Sequence, residues 1–281
     1  MRASQPPSQG KSAKPSHSQP AMRLFKFFLV SLMLGILGGP GPAWAGASLT
    51  IAAASDLKFA LAEILADFRI LHPEASIDVI FGSSGKFHTQ IQQGAPFDLY
   101  FSADIAFPRD LAALGLAAGP VRPYAIGRIV LWSPDRAAAT RTLQDLADPA
   151  LGKIAIANPR HAPYGKRAEE ALRAAGVWEA VQDRLVLGEN IAQTAQFVAS
   201  GNAAVGIIAL SLALNPVMAA AGSHAPIDPS LHAPLEQSFI ITRQGADKPL
   251  AQDFADFMSS PQARAILSRY GFDLPAESDG G

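Results

Sequence analysis

Ile77-Asp78-Val79-Ile80-Phe81-Gly82-Ser83-Ser84-Gly85-Lys86-Phe87-His88-Thr89-Gln90-Ile91 joins a strand pattern to a helix pattern through a glycine and two serines. A strand-like run, residues 77–81, stops at small hydroxyl residues, and a helix-like run follows from Phe87. Free backbone N–H groups and two hydroxyls therefore meet where a helix begins, the place in a fold best suited to an anion. A second turn of this kind lies upstream. Strand-like Leu49 to Ala54 runs into Ser55, and apolar residues at helical spacing follow at Phe59, Leu61, Ile64, Leu65 and Phe68. Two such turns in one chain point to a protein that holds an oxyanion.

Working outward, strand and helix patterns alternate. Residues 98–101, 129–132, 153–157, 184–187 and 204–208 read as strands, and 108–114, 166–175 and 191–199 as helices. That order predicts an α/β protein with mainly parallel sheets. A late strand, residues 238–242, follows a proline-rich passage containing Pro226, Pro229 and Pro234, and helical segments at 250–258 and 261–270 close the chain. A late strand that returns to the first sheet leaves the middle of the chain as a second lobe. The expected division is residues 47–126 plus 234–281 as lobe one and 127–233 as lobe two, with the ligand between them.

The N-terminus carries an export pattern. A short basic region, Met22 to Lys26, precedes an apolar run of about 11 residues from Phe27 to Leu37. Helix breakers at 38–42 and Ala43-Trp44-Ala45 then predict a cleaved signal peptide within residues 1–45, with Met1 or Met22 as start and residues 1–21 as an extension. The chain has no cysteine, so it offers neither a disulfide framework nor a thiol for a lipid anchor. A soluble periplasmic protein is expected. A net charge of −1 supplies no global field to draw in an anion or nucleic acid, so anion binding must come from local dipoles.

Ala52-Ala53-Ala54-Ser55, Phe81-Gly82-Ser83-Ser84-Gly85 and residues 93–104 together resemble periplasmic molybdate-binding proteins of ABC transporters. Residues 124–127, Asn158 to Gly165, Gly188-Glu189-Asn190-Ile191 and Arg269-Tyr270-Gly271-Phe272 continue the match in order, over essentially all of residues 47–275. The resemblance implies a two-lobed type II periplasmic binding protein with its ligand in the interlobe cleft. It implies molybdate or tungstate as ligand, no cofactor, no catalysis and no metal apart from the molybdenum of the bound oxyanion. It also implies an inner-membrane permease as partner and a monomer that does not bind nucleic acid.

Carried over by position, the resemblance assigns the anion to Ser55 and Ser84, through hydroxyl and amide, and to the amides of Tyr164 and Ile191. Where many relatives carry a tyrosine after the strand at 206–208, this chain has Ala209. The Tyr164 phenol is expected to supply that group instead. Asp56 is expected to offer only its backbone N–H, because a carboxylate repels a dianion, while its side chain caps the following helix.

Other chemistries find little support. Gly82-Ser83-Ser84-Gly85-Lys86-Phe87 has the wrong spacing for a phosphate-binding P-loop, and no strand leads into a GxGxxG. The six histidines form no paired metal spacing and read as surface residues, and no Gly-x-Ser-x-Gly elbow exists. The alternatives left are a binding protein of the same fold for another oxyanion such as sulfate and, more remotely, a secreted hydrolase. The sensing half of a transcription regulator shares the architecture, but no helix-turn-helix or basic segment precedes it.

Overall fold

The computed structural model describes residues 48–135 and 139–275; the signal peptide and extension read at 1–45 lie outside them. The strands are β1 (Ser48–Ala54), β2 (Ser76–Gly82), β3 (Leu99–Ser102), β4 (Arg122–Gly127), β5 (Ile129–Ser133), β6 (Ile154–Ala157), β7 (Leu185–Gly188), β8 (Val205–Ala209), β9 (Ser223–Pro226) and β10 (Leu235–Ile241). The helices are α1 (Lys58–Leu71), α2 (Ser84–Gln92), α3 (Ala106–Ala113), α4 (Pro163–Ala174), α5 (Trp178–Val181), α6 (Ile191–Ala199), α7 (Leu210–Ala213), α8 (Pro216–Ala221), α9 (Pro249–Phe257) and α10 (Pro261–Arg269).

These strands build two five-stranded sheets, β2-β1-β3-β10-β4 and β7-β6-β8-β5-β9. Each is the floor of an α/β lobe. The chain passes from the first sheet to the second between Gly127 and Ile129, and returns between Pro226 and Leu235. Strand β10 runs antiparallel to both β3 and β4, and β5 antiparallel to β8 and β9. The sheets are therefore mixed, not mainly parallel. A strand that enters a sheet straight from the other lobe, without a covering helix, is free to run either way.

Two strands carry proline where the pattern did not read as strand. Pro123 lies in β4 and Pro226 ends β9, and each strand is the outer edge of its sheet. An edge strand has a side that needs no ladder donor, so proline is tolerated there. Opposite Pro123 the register of β10 shifts between Gln237 and Ser238. That bulge bears on the site described below.

Each lobe has its own core. In the first, Phe101 stacks on Phe239 with ring centroids 4.7 Å apart, and Phe68 meets Phe254 edge-on at 5.0 Å. Trp132, Ile154, Ile156 and Ile207 lie fully buried in the second. Fully burying one such side chain is worth about 1.5–3 kcal/mol, so each lobe is a firm platform for the turns that leave its sheet.

Candidate functional site

Four helical segments begin at the carboxyl ends of β1, β2, β6 and β7, the crevice where open α/β sheets hold ligands. After β1 the chain makes a 3-10 turn, Ser55–Leu57, into α1. After β2, Ser83 caps α2 and accepts from the Lys86 N–H, so Ser84 becomes the first helical residue. After β6, Pro163 opens α4 at a position whose N–H would go unused, leaving Tyr164 next. After β7, the Asn190 side chain caps α6 by accepting from Gln193 N–H at 3.0 Å, and Ile191 follows. The amides of Ser84, Tyr164 and Ile191 thus lie in first turns, where no carbonyl of the same helix can accept from them.

These turns close around one cavity, lined from the first lobe by Ala54, Ser55, Asp56 and Ser84 and from the second by Tyr164 and Ile191. All five residues singled out from the sequence line it. The cavity is small, about 10 Å³, roughly the space of one water. No lysine, arginine or histidine lines it.

The hydroxyls are individually placed. Ser84 Oγ accepts from the Ala103 N–H at 3.0 Å, which holds the side chain fixed, and no acceptor among the described residues takes its proton. Ser55 Oγ crosses the cleft instead: it donates to Asn190 Oδ1 at 3.1 Å and accepts from Ala192 N–H at 3.2 Å. Ser84 is ready to donate to an anion as it stands, whereas Ser55 must release Asn190 first.

One expectation fails here, and a second residue makes a contact the sequence did not announce. Asp56 does not cap α1, whose cap position is Leu57 with no side-chain bond. Its carboxylate is buried at the lobe interface, where Oδ2 accepts from Gln237 Nε2 at 2.7 Å and from the Tyr164 hydroxyl at 3.0 Å. Burial pushes the Asp56 carboxyl up to about 6, against the hydrogen bonds from Gln237 and Tyr164 and the nearby amides of Asp56 and Leu57. The Tyr164 phenol, expected to stand in for the tyrosine absent at Ala209, donates its proton to Asp56 in this structure. Burial, then the neighbouring Asp56, hold that phenol well above its ordinary value, so it stays protonated. What Tyr164 has left to offer an anion is its amide.

The network extends through Gln237, whose Oε1 accepts from Tyr124 at 2.5 Å and whose Nε2 also reaches the Tyr164 oxygen at 3.0 Å. The bulge in β10 lies directly after Gln237. Gly127, where the chain leaves the first lobe, packs against the Tyr164 hydroxyl and Gln237 with no room for a side chain. Ser211, at the start of α7, donates to the Asp56 carbonyl at 2.8 Å.

A second set of contacts joins the lobes at the rim. Gly85 N–H donates to His161 O at 2.9 Å, and Ser83 Oγ lies 2.9 Å from His161 Nδ1. Lys86 pairs with Glu189, which also lies 3.2 Å from His161 Nε2. Burial lowers the His161 pKa, so it favours the neutral ring. His161 is therefore an interlobe contact and not the surface histidine its spacing implied. Gln237 and Ser211 are site residues that the sequence pattern does not point to. Asn190 before an apolar helix carried a usable capping signal; Gln237 carried none.

Comparison with known proteins agrees with this geometry. Residues 49–273 match a family described as bacterial extracellular solute-binding protein. The chain is similar to the molybdate-binding protein ModA of Rhodobacter capsulatus, 37% identical over 198 residues that cover 70% of this chain and 77% of that protein. The ModA of Azotobacter vinelandii is 38% identical over 195 residues, covering 69% and 77%. Among solved structures, the Azotobacter vinelandii periplasmic molybdate-binding protein matches with a TM-score of 0.75 and 33% identity, over 81% of this chain and 99% of that one.

Proposed function

This chain belongs to the family of bacterial extracellular solute-binding proteins, and from that premise we propose that it is the substrate-binding component of an ABC importer for molybdate, with tungstate as an equivalent cargo. One observation carries the reading: first-turn amides and a free serine hydroxyl from two lobes meet in a single cavity that no cation lines. The ligands are Ser55 and Ser84 by hydroxyl and amide, and Tyr164 and Ile191 by amide, with the Asp56 amide beside them. Lobe one is residues 47–126 with 234–281 and lobe two 127–233, and they part and close about Gly127–Ile129 and the return between Pro226 and Leu235. The chain acts as a monomer, binds no nucleic acid, takes no cofactor and delivers its ligand to the permease of the importer.

Molybdate at neutral pH is a tetrahedral dianion with no proton of its own, so amide N–H and hydroxyl donors suit all four of its oxygens. Each donor bond to such an ion is worth about 1.5–3 kcal/mol. Three or four, less the costs of association and closure, correspond to micromolar affinity or tighter.

Relatives named as molybdate-binding proteins support this cargo. We assign no catalysis. Ser83, His161 and Glu189 are joined by contacts of 2.9 and 3.2 Å, but Ser83 is a buried helix cap that accepts from the Lys86 N–H. Export by a signal peptide cleaved after Ala45 is part of the same proposal. Among the described residues no helix is long and apolar enough to cross a membrane. Intact-mass measurement of protein recovered from the periplasm should find Gly46 at the N-terminus; a retained leader would overturn the export assignment. Calorimetric titration with molybdate, tungstate, sulfate and phosphate tests the ligand. Sulfate bound as tightly as molybdate would keep the oxyanion site and reject the cargo.

A further inference from the structure

We propose that the closed site holds its dianion together with one proton, and that Asp56 carries that proton. The proposal rests on the oxyanion reading of the cavity and deepens it. In this site the anion presents only its oxygens to hydrogen-bond donors, so none of the residues involved is a ligand of the molybdenum itself.

Asp56 lines the cavity and is 1% exposed. Its two oxygens are treated differently. Oδ2 accepts from both Gln237 and Tyr164, while Oδ1 is buried with no hydrogen-bond partner of good geometry. With Oδ2 taken by two side-chain donors and only the amides of Asp56 and Leu57 near the carboxyl besides, a neutral acid carries its proton on Oδ1, the oxygen without a side-chain donor. The groups facing Asp56 come from every element around it. They are Tyr164 from α4, Gln237 from β10, Tyr124 from β4 behind Gln237, and Ser211 from α7 on its backbone carbonyl. The first three are phenols and an amide, the fourth a hydroxyl, and no charged group contributes to the carboxyl's titration. An ionised carboxylate there has no counter-charge to share with an incoming dianion, and like charges in a buried site cannot both persist.

Burial already raises the carboxyl to about 6 with the lobes in contact and no anion bound. At pH 7.5 it is therefore mostly ionised before binding. A dianion in the same cavity raises it further, and the carboxylate takes one proton from solvent as the anion enters. The balance is simple: carboxylate, proton and dianion become carboxylic acid and dianion, and the proton returns to solvent on release. Linkage fixes the sign. Above about pH 6 and below the higher pKa of the complex, affinity falls about tenfold per pH unit. Below about pH 6 the group is protonated in both states and affinity is flat. An anion that brings its own proton, such as hydrogen phosphate, needs none from solvent.

The test is calorimetric titration of the mature chain with molybdate at pH 7.5, in buffers of contrasting ionisation enthalpy. The slope of observed heat against ionisation enthalpy should report close to one proton taken up per anion. Heat of binding with zero slope would overturn this proposal and leave the oxyanion reading standing. No heat with molybdate, sulfate or phosphate would overturn both. Asp56→Asn, whose amide cannot titrate, should take up no proton whatever its affinity; uptake in that variant would show that another group is the carrier. Should that variant fail to fold, the wild-type buffer series and its dependence on pH between 6.5 and 8.5 still decide.

Discussion

The Tyr164 hydroxyl, at the start of a helix in the second lobe, donates to Asp56 Oδ2 of the first lobe at 3.0 Å, and both groups are buried. This contact ties the two lobes together directly behind the anion cavity. The phenol in the turn Ala162-Pro163-Tyr164-Gly165 satisfies a carboxylate that no cation among the described residues reaches. With its phenol so engaged, Tyr164 has only its amide free.

Tyr164→Phe separates these roles. The variant should lose about 1–2 kcal/mol of stability, because a buried acceptor loses one of its two donors. For a domain of this size that is a fall of several degrees in melting temperature. Molybdate affinity should change by only a few-fold, since the amide is untouched. Thermal melts and titration calorimetry on the same samples check both parts. A loss of affinity beyond about thirtyfold with little change in melting temperature would put the phenol on the anion after all.

Ser84→Ala should weaken molybdate about 10–150-fold, the worth of one donor bond to a charged ligand. From sequence alone this change appears harmless to the fold. The structure adds a cost, because Ala103 N–H donates to Ser84 Oγ and both are buried. Leaving that donor unpaired costs about 1–3 kcal/mol. Chemical denaturation beside calorimetry reads the two effects; unchanged stability would show that Ala103 finds another acceptor.

Gly85→Ala tests closure. A methyl group there would lie 2.7 Å from His161 O, in the lobe-to-lobe contact made by the Gly85 amide. The methyl points across the cleft and not into either core, so the variant should fold with a near-native melting temperature. It should bind molybdate at least about tenfold more weakly and stay expanded by small-angle scattering at saturating ligand. Full compaction with native affinity would show that the rim contact is dispensable.

Asp56 also sets a pH dependence of stability. Its pKa is raised to about 6 in the folded chain from an ordinary value of 3.8. Between those values the folded state holds more protons than the unfolded one. This group's contribution to stability therefore falls as pH rises from about 4 to 6, by about 3 kcal/mol in all, and is constant above. Asparagine at 56 cannot titrate, so the stability of Asp56→Asn relative to wild type should rise across that window. Denaturant melts of both proteins at pH 4, 5, 6 and 7.5 check it; a constant difference would mean that Asp56 titrates alike in both states.

Much of this was legible in the sequence because it is local. Ser83 and Ser84 between a β-branched run and a helix, Pro163 at a helix start and Asn190 before an apolar helix each carry their own signal within a few residues. The strand β4 did not, since Pro123 argues against a strand until its place at the sheet edge is known. The Asp56 side chain was misplaced for a different reason. Its partners Tyr164 and Gln237 are 108 and 181 residues away in sequence, and no pattern of spacing reports a contact made only when two lobes meet. His161 was misread for the same cause, as its partners Ser83 and Gly85 stand on the opposite lobe.

Two lobes are proposed to share one anion through uncharged donors in the cavity of Ser55, Ser84, Tyr164 and Ile191. Titration calorimetry of the mature wild-type chain against molybdate, tungstate, sulfate and phosphate tests it most directly. The expected result is one site per chain, micromolar or tighter for molybdate and tungstate, with sulfate and phosphate weaker by about a hundredfold or more. Folded protein that gives no heat with any of the four would contradict it.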